Sequence, residues 1–511
     1  MKAKSRAWLF GGLALVLASV SCRRPAVKKS AAAPPGAVSV SVNWTKVTGV
    51  SATTPTLQVV VNPLLRRGSA IHDRVFQALH DLGANYVRYV PWLPYPKLAV
   101  AEMEPPANGK TSWDFSLIDP MMEDFMNATA GHSVIINFST IPEWMWKTPK
   151  PVAYPSDPNQ VTWTYEQGTE LRDPTMKQVA DYYARVVSWY TKGGFKDEYG
   201  KWHASGYHYK IPYWEVLNEI NGEHRMSPEF YTRLYDAIVQ AILRVQPRMK
   251  FVGLAYGGFQ AAAYFEYFLN HQHHKPGIPL DMISYHFYAV PTPDETVHEM
   301  QYDFFAQADH FLGVVQYNQA IRERLSPQTG ADVDELGCIA PAYDGPQGRL
   351  GPPPRPIPNA YWNLCGAMYA YVYGHLAGLG VNVAGESQMV GYPSQFPSVS
   401  MVDWKTGQPN ARFWVLKLLV DNLGAGDRLV ATGVNTPYIY GQGFVTPDGK
   451  EKLLLVNRRN RSFEVTIPGG AGATEAYVDQ TTAFQPPASR QMGDDKLLLG
   501  GFGVAIITLK R

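Results

Sequence analysis

Trp214-Glu215-Val216-Leu217-Asn218-Glu219 is the stretch on which the fold turns. It reads as a buried strand whose tip delivers an amide and a carboxylate side by side. Side chains alternate along a strand, but at a frayed C-terminal tip two successive residues can both reach a cleft. The bland alternative is an ordinary strand end carrying two polar residues, so a second carboxylate is needed. Ala331-Asp332-Val333-Asp334-Glu335-Leu336-Gly337 supplies one, reading as another strand with Glu335 at its exit before a Gly break. Asp334 is the rival, and alternation points it away from Glu335. Strand tips so far apart in sequence meet only where a closed sheet gathers them, as a β/α barrel does at its C-terminal face.

The chain between those stretches alternates short apolar runs with amphipathic ones, the pattern of βαβ units and a parallel sheet. Eight runs qualify as barrel strands: 57–61, 86–90, 133–138, 213–218, 251–255, 282–287, 332–335 and 381–385. Helical periodicity falls between them, at 71–82, 175–190, 228–245 and 361–376. The expected class is therefore α/β, a (β/α)8 TIM barrel over residues 38–426. From about residue 427 the texture changes to short alternating strands, such as Lys452–Asn457, Phe463–Ile467 and Gly503–Leu509. These predict an appended C-terminal antiparallel β-sandwich over 427–511, to which residues 38–55 add edge strands.

Length and charge exclude other classes. At 511 residues the chain can bury one large barrel and a smaller second domain. With 46 basic against 44 acidic residues, nothing points to nucleic acid or an anionic membrane surface. Aromatics make up 13% of the chain, which suits stacking on sugar faces and equally suits a large core. Lys2, Lys4 and Arg6 precede an apolar run from Ala7 to Val20 that is too short to span a bilayer, so residues 1–22 read as an export signal. Cys22 leaves two outcomes open, a lipid-anchored bacterial protein or plain secretion to the periplasm or beyond. Residues 23–37 read as a flexible tether. Cys338 and Cys365 are expected as buried free thiols. The oligomeric state is not legible.

An Asn that holds a sugar hydroxyl beside a Glu that donates a proton is half of what breaking a glycosidic bond requires, and a second carboxylate across the sugar is the other half. The Asn218-Glu219 pair, Glu335-Leu336-Gly337 and the intervening Ser284-Tyr285-His286-Phe287-Tyr288 resemble the large glycosidase clan built on (β/α)8 barrels. Within that clan the likeness is to family 39, the β-xylosidase and α-L-iduronidase family, with families 5, 30, 51 and 79 as cousins. The resemblance implies Glu219 as acid/base and Glu335 as nucleophile. It implies Arg88 as the group that steadies the nucleophile and Tyr288, rather than Tyr285, as its hydrogen-bond partner. A Pro commonly follows Asn-Glu in these families, and here Ile220 does. A carbohydrate is the implied partner, β-linked by the likeness alone, and the chemistry needs no cofactor or metal.

Other residues join the candidate site by position. His286, at the sixth strand end, holds a hydroxyl or adjusts the acid/base, against a core histidine satisfied by backbone. Glu143 and Trp144 follow the third strand, where substrate loops sit, and Trp144 could stack on sugar or simply pack. Glu386, after the eighth strand, is a third carboxylate at the same face and the runner-up nucleophile. His271, His273 and His274 look metal-like, but they precede the sixth strand at the opposite edge, so a solvated surface is expected. The Pro-rich run 350–356 reads as a stiff loop walling the cleft. Burial and the second carboxylate are expected to raise the pKa of Glu219, as a general acid needs. A catalytically inactive sugar-binding barrel and a transglycosylase using the same residues are the alternatives.

Overall fold

The computed structural model describes residues 38–162, 168–344, 355–392 and 396–510. The export signal, Cys22, the tether and residues 350–354 of the Pro-rich run lie outside the described residues.

All eight predicted runs form strands, and they close into a parallel barrel. The barrel strands are β1 (Thr54–Val60), β2 (Val87–Val90), β3 (Val134–Ile136), β4 (Tyr213–Glu215), β5 (Lys250–Tyr256), β6 (Met282–Ala289), β7 (Gly330–Cys338) and β8 (Val383–Glu386). Each pairs in parallel with its sequence neighbours, and β8 closes on β1 from Val383 opposite Thr54 to Glu386 opposite Leu57. Helices outside and side chains inside bury both faces of these strands, which is why they read as unbroken apolar runs rather than alternating ones. The helix His72–Leu82 shows the outer layer at work. Val75, Phe76, Leu79 and Leu82 form one buried stripe, and Gly83 ends the helix at φ +65°, a left-handed turn that glycine adopts without strain. Among the described residues, no helix is long and apolar enough to cross a membrane.

The second sheet draws on both parts of the chain. Val38–Val50 lies between Arg428–Val434, to which it is antiparallel, and Phe463–Thr466, to which it is parallel. It is thus an interior strand of a nine-stranded arrangement, not the edge strand that its alternation suggests. Leu453 and Leu455 face a small core of their own with Val38, Val40 and Ile507. Leu454 and Val456 belong instead to the main core that contains the barrel helices. Two-sided burial explains the continuous apolar run at 453–456.

One irregularity decides what the barrel presents. On β7, Asp332 sits opposite Ser284 and Glu335 opposite His286, so three steps on β7 match two on β6. The extra residue is a bulge, and it breaks the alternation on which the reading of Asp334 depended. Asp332 and Asp334 are both buried, and Glu335 emerges just beyond them.

Candidate active site

The tip of β4 departs from strand geometry where the two polar residues must emerge. Leu217 has φ +66° and Glu219 φ +40°. Such left-handed conformations cost non-glycine residues on the order of 1 kcal/mol or more each and persist only where surrounding contacts enforce them. Here the Leu217 carbonyl accepts from Nδ2 of Asn137 at 2.9 Å, and the Glu219 amide donates to the Ala255 carbonyl at 2.8 Å. The turned backbone sends Asn218 and Glu219 into one cavity. Gly257, at the exit of β5, leaves room for the carboxylate: a Cβ there would stand 3.1 Å from Cδ of Glu219.

That cavity measures about 310 Å³ and is lined by Glu219, Glu335, Asn218, Tyr288, Trp92 and Gln58, with Val60, Ile339 and Phe396 among its apolar walls. One carboxylate oxygen of Glu219, one of Glu335 and a ring nitrogen of His286 all lie within 4.8 Å of one another. Arg88 Nη1 donates to Glu335 Oε1 at 2.8 Å, and the Tyr288 hydroxyl donates to Glu335 Oε2 at 2.6 Å. Arg88 also donates through Nη2 to Asn218 Oδ1 at 2.7 Å, through Nη1 to Gln58 at 2.6 Å and through Nε to Glu215 at 2.5 Å. A single guanidinium therefore ties β1, β2, β4 and β7 together under the cavity floor.

His286 Nδ1 is 3.0 Å from Glu219 Oε1 and 3.4 Å from Glu335 Oε2, and its Nε2 is 3.6 Å from Asp334. Burial lowers the proton affinity of this imidazole, but Glu335 and Asp334 outweigh it and hold the pKa well above the usual histidine value. The same hydrogen bond acts on Glu219. Burial pushes its carboxyl up, yet His286, with Arg88 behind it, pulls the pKa below the ordinary range. The raised value expected for Glu219 is thus reversed, because the charge beside it is a cation rather than only a second carboxylate.

Beneath the cavity the barrel interior carries further acids. Burial raises Glu215 to about 7 against the pull of Arg88. Burial, with Asp334 and Glu215 adding to it, raises Asp332 well above the usual range, so it keeps its proton. Asp334 goes the other way: burial raises it, but Arg88 at 3.2 Å and His286 lower it further. Asp334 is not turned away from Glu335; both meet the same arginine.

Several expected residues stand elsewhere. Glu386 is fully buried and its Oε1 accepts from Arg412 Nε at 2.8 Å, while Arg412 also donates to the carbonyls of Ser387 and Val399. It does not line the cavity, and burial raises it to about 7 despite the arginine. Paired with Arg412 behind the wall, it stands away from the cavity where a hydroxyl binder or an alternative nucleophile would have to sit. Trp144 donates through Nε1 to the Glu102 carbonyl at 3.0 Å and, with Glu143, lines a separate cavity of about 840 Å³. That cavity is larger, but the paired carboxylates are not in it, and chemistry rather than size identifies the site. The three histidines are engaged separately: His274 is buried between Asp236 and the Phe268 carbonyl, His273 stacks on Tyr267, and His271 meets Ser326. Tyr285 packs in the core against Phe265. Cys338 and Cys365 are free and buried.

Sequence reading missed Gln58, Trp92, Glu215, Glu223, whose Oε1 accepts from Trp92 and Asn218, and Ser387, whose hydroxyl lies 2.6 Å from that of Tyr288. Glu215 was legible as a charge inside an apolar strand; the others sit in segments whose neighbours only the fold supplies.

No known family profile and no curated protein matches the chain. Solved structures of the same fold do. A GH51 arabinofuranosidase from Xanthomonas axonopodis pv. citri aligns over 93% of this chain and 100% of its own, at 13% identity and TM-score 0.63. An α-L-arabinofuranosidase from Thermotoga maritima, solved as an arabinose complex, aligns over 93% and 100% at 14% identity and TM-score 0.60. A GH30 endoxylanase from Clostridium papyrosolvens C71 aligns over 93% and 100% at 13% identity and TM-score 0.55. At these identities the likeness shows the shared barrel-plus-sheet fold.

Proposed function

We propose that this protein is a retaining glycoside hydrolase acting on β-glycosidic bonds, with xylose the first sugar to test. The observation that carries the reading is the pair Glu219 and Glu335, with oxygens within 4.8 Å across the cavity. Retaining enzymes hold their two carboxyls about 5–5.5 Å apart, whereas inverting ones leave about 6.5–9.5 Å for a water.

In this reading Arg88 and Tyr288 aim the Glu335 carboxylate at the anomeric carbon. Attack forms a glycosyl ester as the bond to the leaving oxygen breaks, and that oxygen takes its proton from Glu219. Water then attacks the anomeric carbon, gives its proton to Glu219 and releases Glu335, so the configuration is retained. The proton for the first step belongs to the Glu219–His286 pair. Shifting it along their 3.0 Å hydrogen bond converts an ion pair into a neutral acid beside a neutral imidazole. As Glu335 loses its charge in the ester, His286 loses an ionic partner, which eases that shift. The same proposal puts this chemistry outside the cytoplasm, on the reading of residues 1–22 as an export signal.

The test is a panel of aryl β-xylosides, α-L-arabinofuranosides and β-glucosides, with wild type beside Glu219→Ala and Glu335→Ala and azide added to each. Loss in both variants, with azide restoring turnover to products of opposite anomeric form, is expected. Unchanged turnover in Glu335→Ala overturns the assignment. Binding of oligosaccharides without release from any glycoside would favour a sugar-binding barrel.

A further inference from the structure

Trp92 and Asn218 line the catalytic cavity from different loops, and both aim a polar hydrogen at one atom outside its wall. The Trp92 indole donates to Glu223 Oε1 at 2.7 Å, and Asn218 Nδ2 donates to the same oxygen at 2.9 Å. Glu223 arrives there because the chain turns sharply after the strand tip: the amides of Gly222 and Glu223 both donate to the Glu219 carbonyl, at 2.7 and 2.9 Å. The other side of the Asn218 amide is also taken, since Oδ1 accepts from Arg88 at 2.7 Å.

We propose that Glu223 is a positioning residue for the reaction, one that fixes which way the Asn218 amide faces. A primary amide has two donors and one acceptor end, and turning it over exchanges them. Turned over, Asn218 would set its NH2 against the Arg88 guanidinium and its oxygen against Glu223 Oε1. Arg88, which can only donate, opposes that arrangement at one end, Glu223 Oε1 accepts from the amide at the other, and one N–H of Asn218 remains for the substrate. In the glycosidase reading, on which this inference rests, its target is the sugar hydroxyl next to the anomeric carbon, whose hydrogen bonds strengthen in the transition state. The same carboxyl oxygen steadies the Trp92 ring in the cavity wall. Burial first, and then the charge of Glu219, raise Glu223 to about 8. At neutral pH it thus orients its partners without placing a second negative charge beside the acid/base.

The variants are Glu223→Gln, which keeps a carbonyl acceptor in place, and Glu223→Met, which fills the space without one. Each is assayed alone and with Asn218→Ala on an aryl glycoside of the accepted sugar and on its 2-deoxy counterpart. Glu223→Gln should stay within about threefold of wild type, while Glu223→Met should lose tenfold or more, mainly in kcat. The Met loss should shrink to under about threefold on the 2-deoxy substrate and vanish in the Asn218→Ala background. Equal losses on both substrates, losses that multiply with Asn218→Ala, or a Gln variant as poor as Met would each overturn the role. A wild type inactive on every glycoside would instead overturn the glycosidase reading itself. Thermal melts separate either result from misfolding.

Discussion

Asp334 and Glu335, neighbours on one strand, both contact Arg88: Asp334 Oδ2 stands 3.2 Å from Nε, and Glu335 Oε1 stands 2.8 Å from Nη1. A regular strand would send them to opposite faces, and the bulge in β7 prevents it. The barrel interior therefore holds a buried cation with three carboxylates around it, Glu215 being the third.

Removing that cation should be costly. Arg88→Met is expected to destabilise the fold by about 3–5 kcal/mol, because the acids around it are left buried without a partner. Urea unfolding checks the loss. Adding Asp334→Asn should recover part of the stability and none of the activity, since Glu335 and Asn218 still lack the group that orients them.

His286→Gln separates two sources of the catalytic proton. If the Glu219–His286 pair carries it, the alkaline limb of kcat/KM moves to lower pH in the variant, because the imidazolium that keeps the pair protonated above the usual histidine range is gone. If Glu219 alone carried it, removing the cation that depresses its pKa would move the limb upward. Movement to lower pH is expected in a pH–rate profile on an aryl glycoside.

Glu386→Gln should behave as a stability variant. It leaves Arg412 buried without its ionic partner, which costs on the order of 3–5 kcal/mol, while kcat of the folded fraction stays within a few-fold of wild type. Calorimetry beside active-site titration reads the two effects separately. Loss of kcat with azide rescue would make Glu386 the nucleophile.

Stability should fall as pH rises across neutrality. Burial raises Glu102 to about 8 and Glu215 and Glu386 to about 7, well above the value of about 4.3 for an unfolded glutamate. Each group binds its proton more tightly when folded. Its contribution is complete below the unfolded pKa and is lost as pH rises through the folded one. The unfolding midpoint should be higher at pH 5 than at pH 9. A midpoint that rises between those values would show these acids to be ionised in the native state at pH 5.

The sequence by itself determined the barrel. Eight apolar runs separated by helix-length amphipathic stretches match the strand count of a closed barrel whose strands are buried on both faces, and Asn218-Glu219 and Glu335 were visible at strand ends because polar residues there interrupt an apolar pattern. His286 was legible by its place at the sixth strand end, whereas Arg88 and Tyr288 came only from the family resemblance. Tertiary structure alone decided which acids face the cleft. The bulge in β7 brought Asp334 inward, closure of β8 against Arg412 took Glu386 out of reach, and the turn after Glu219 carried Glu223 back to Asn218. Periodicity reports which residues are buried, but the register between strands and the partner opposite each charge arise from long-range contacts. Those contacts set the protonation of Glu219, since a cation held 3.0 Å away by another strand outweighs the burial that local sequence could foresee.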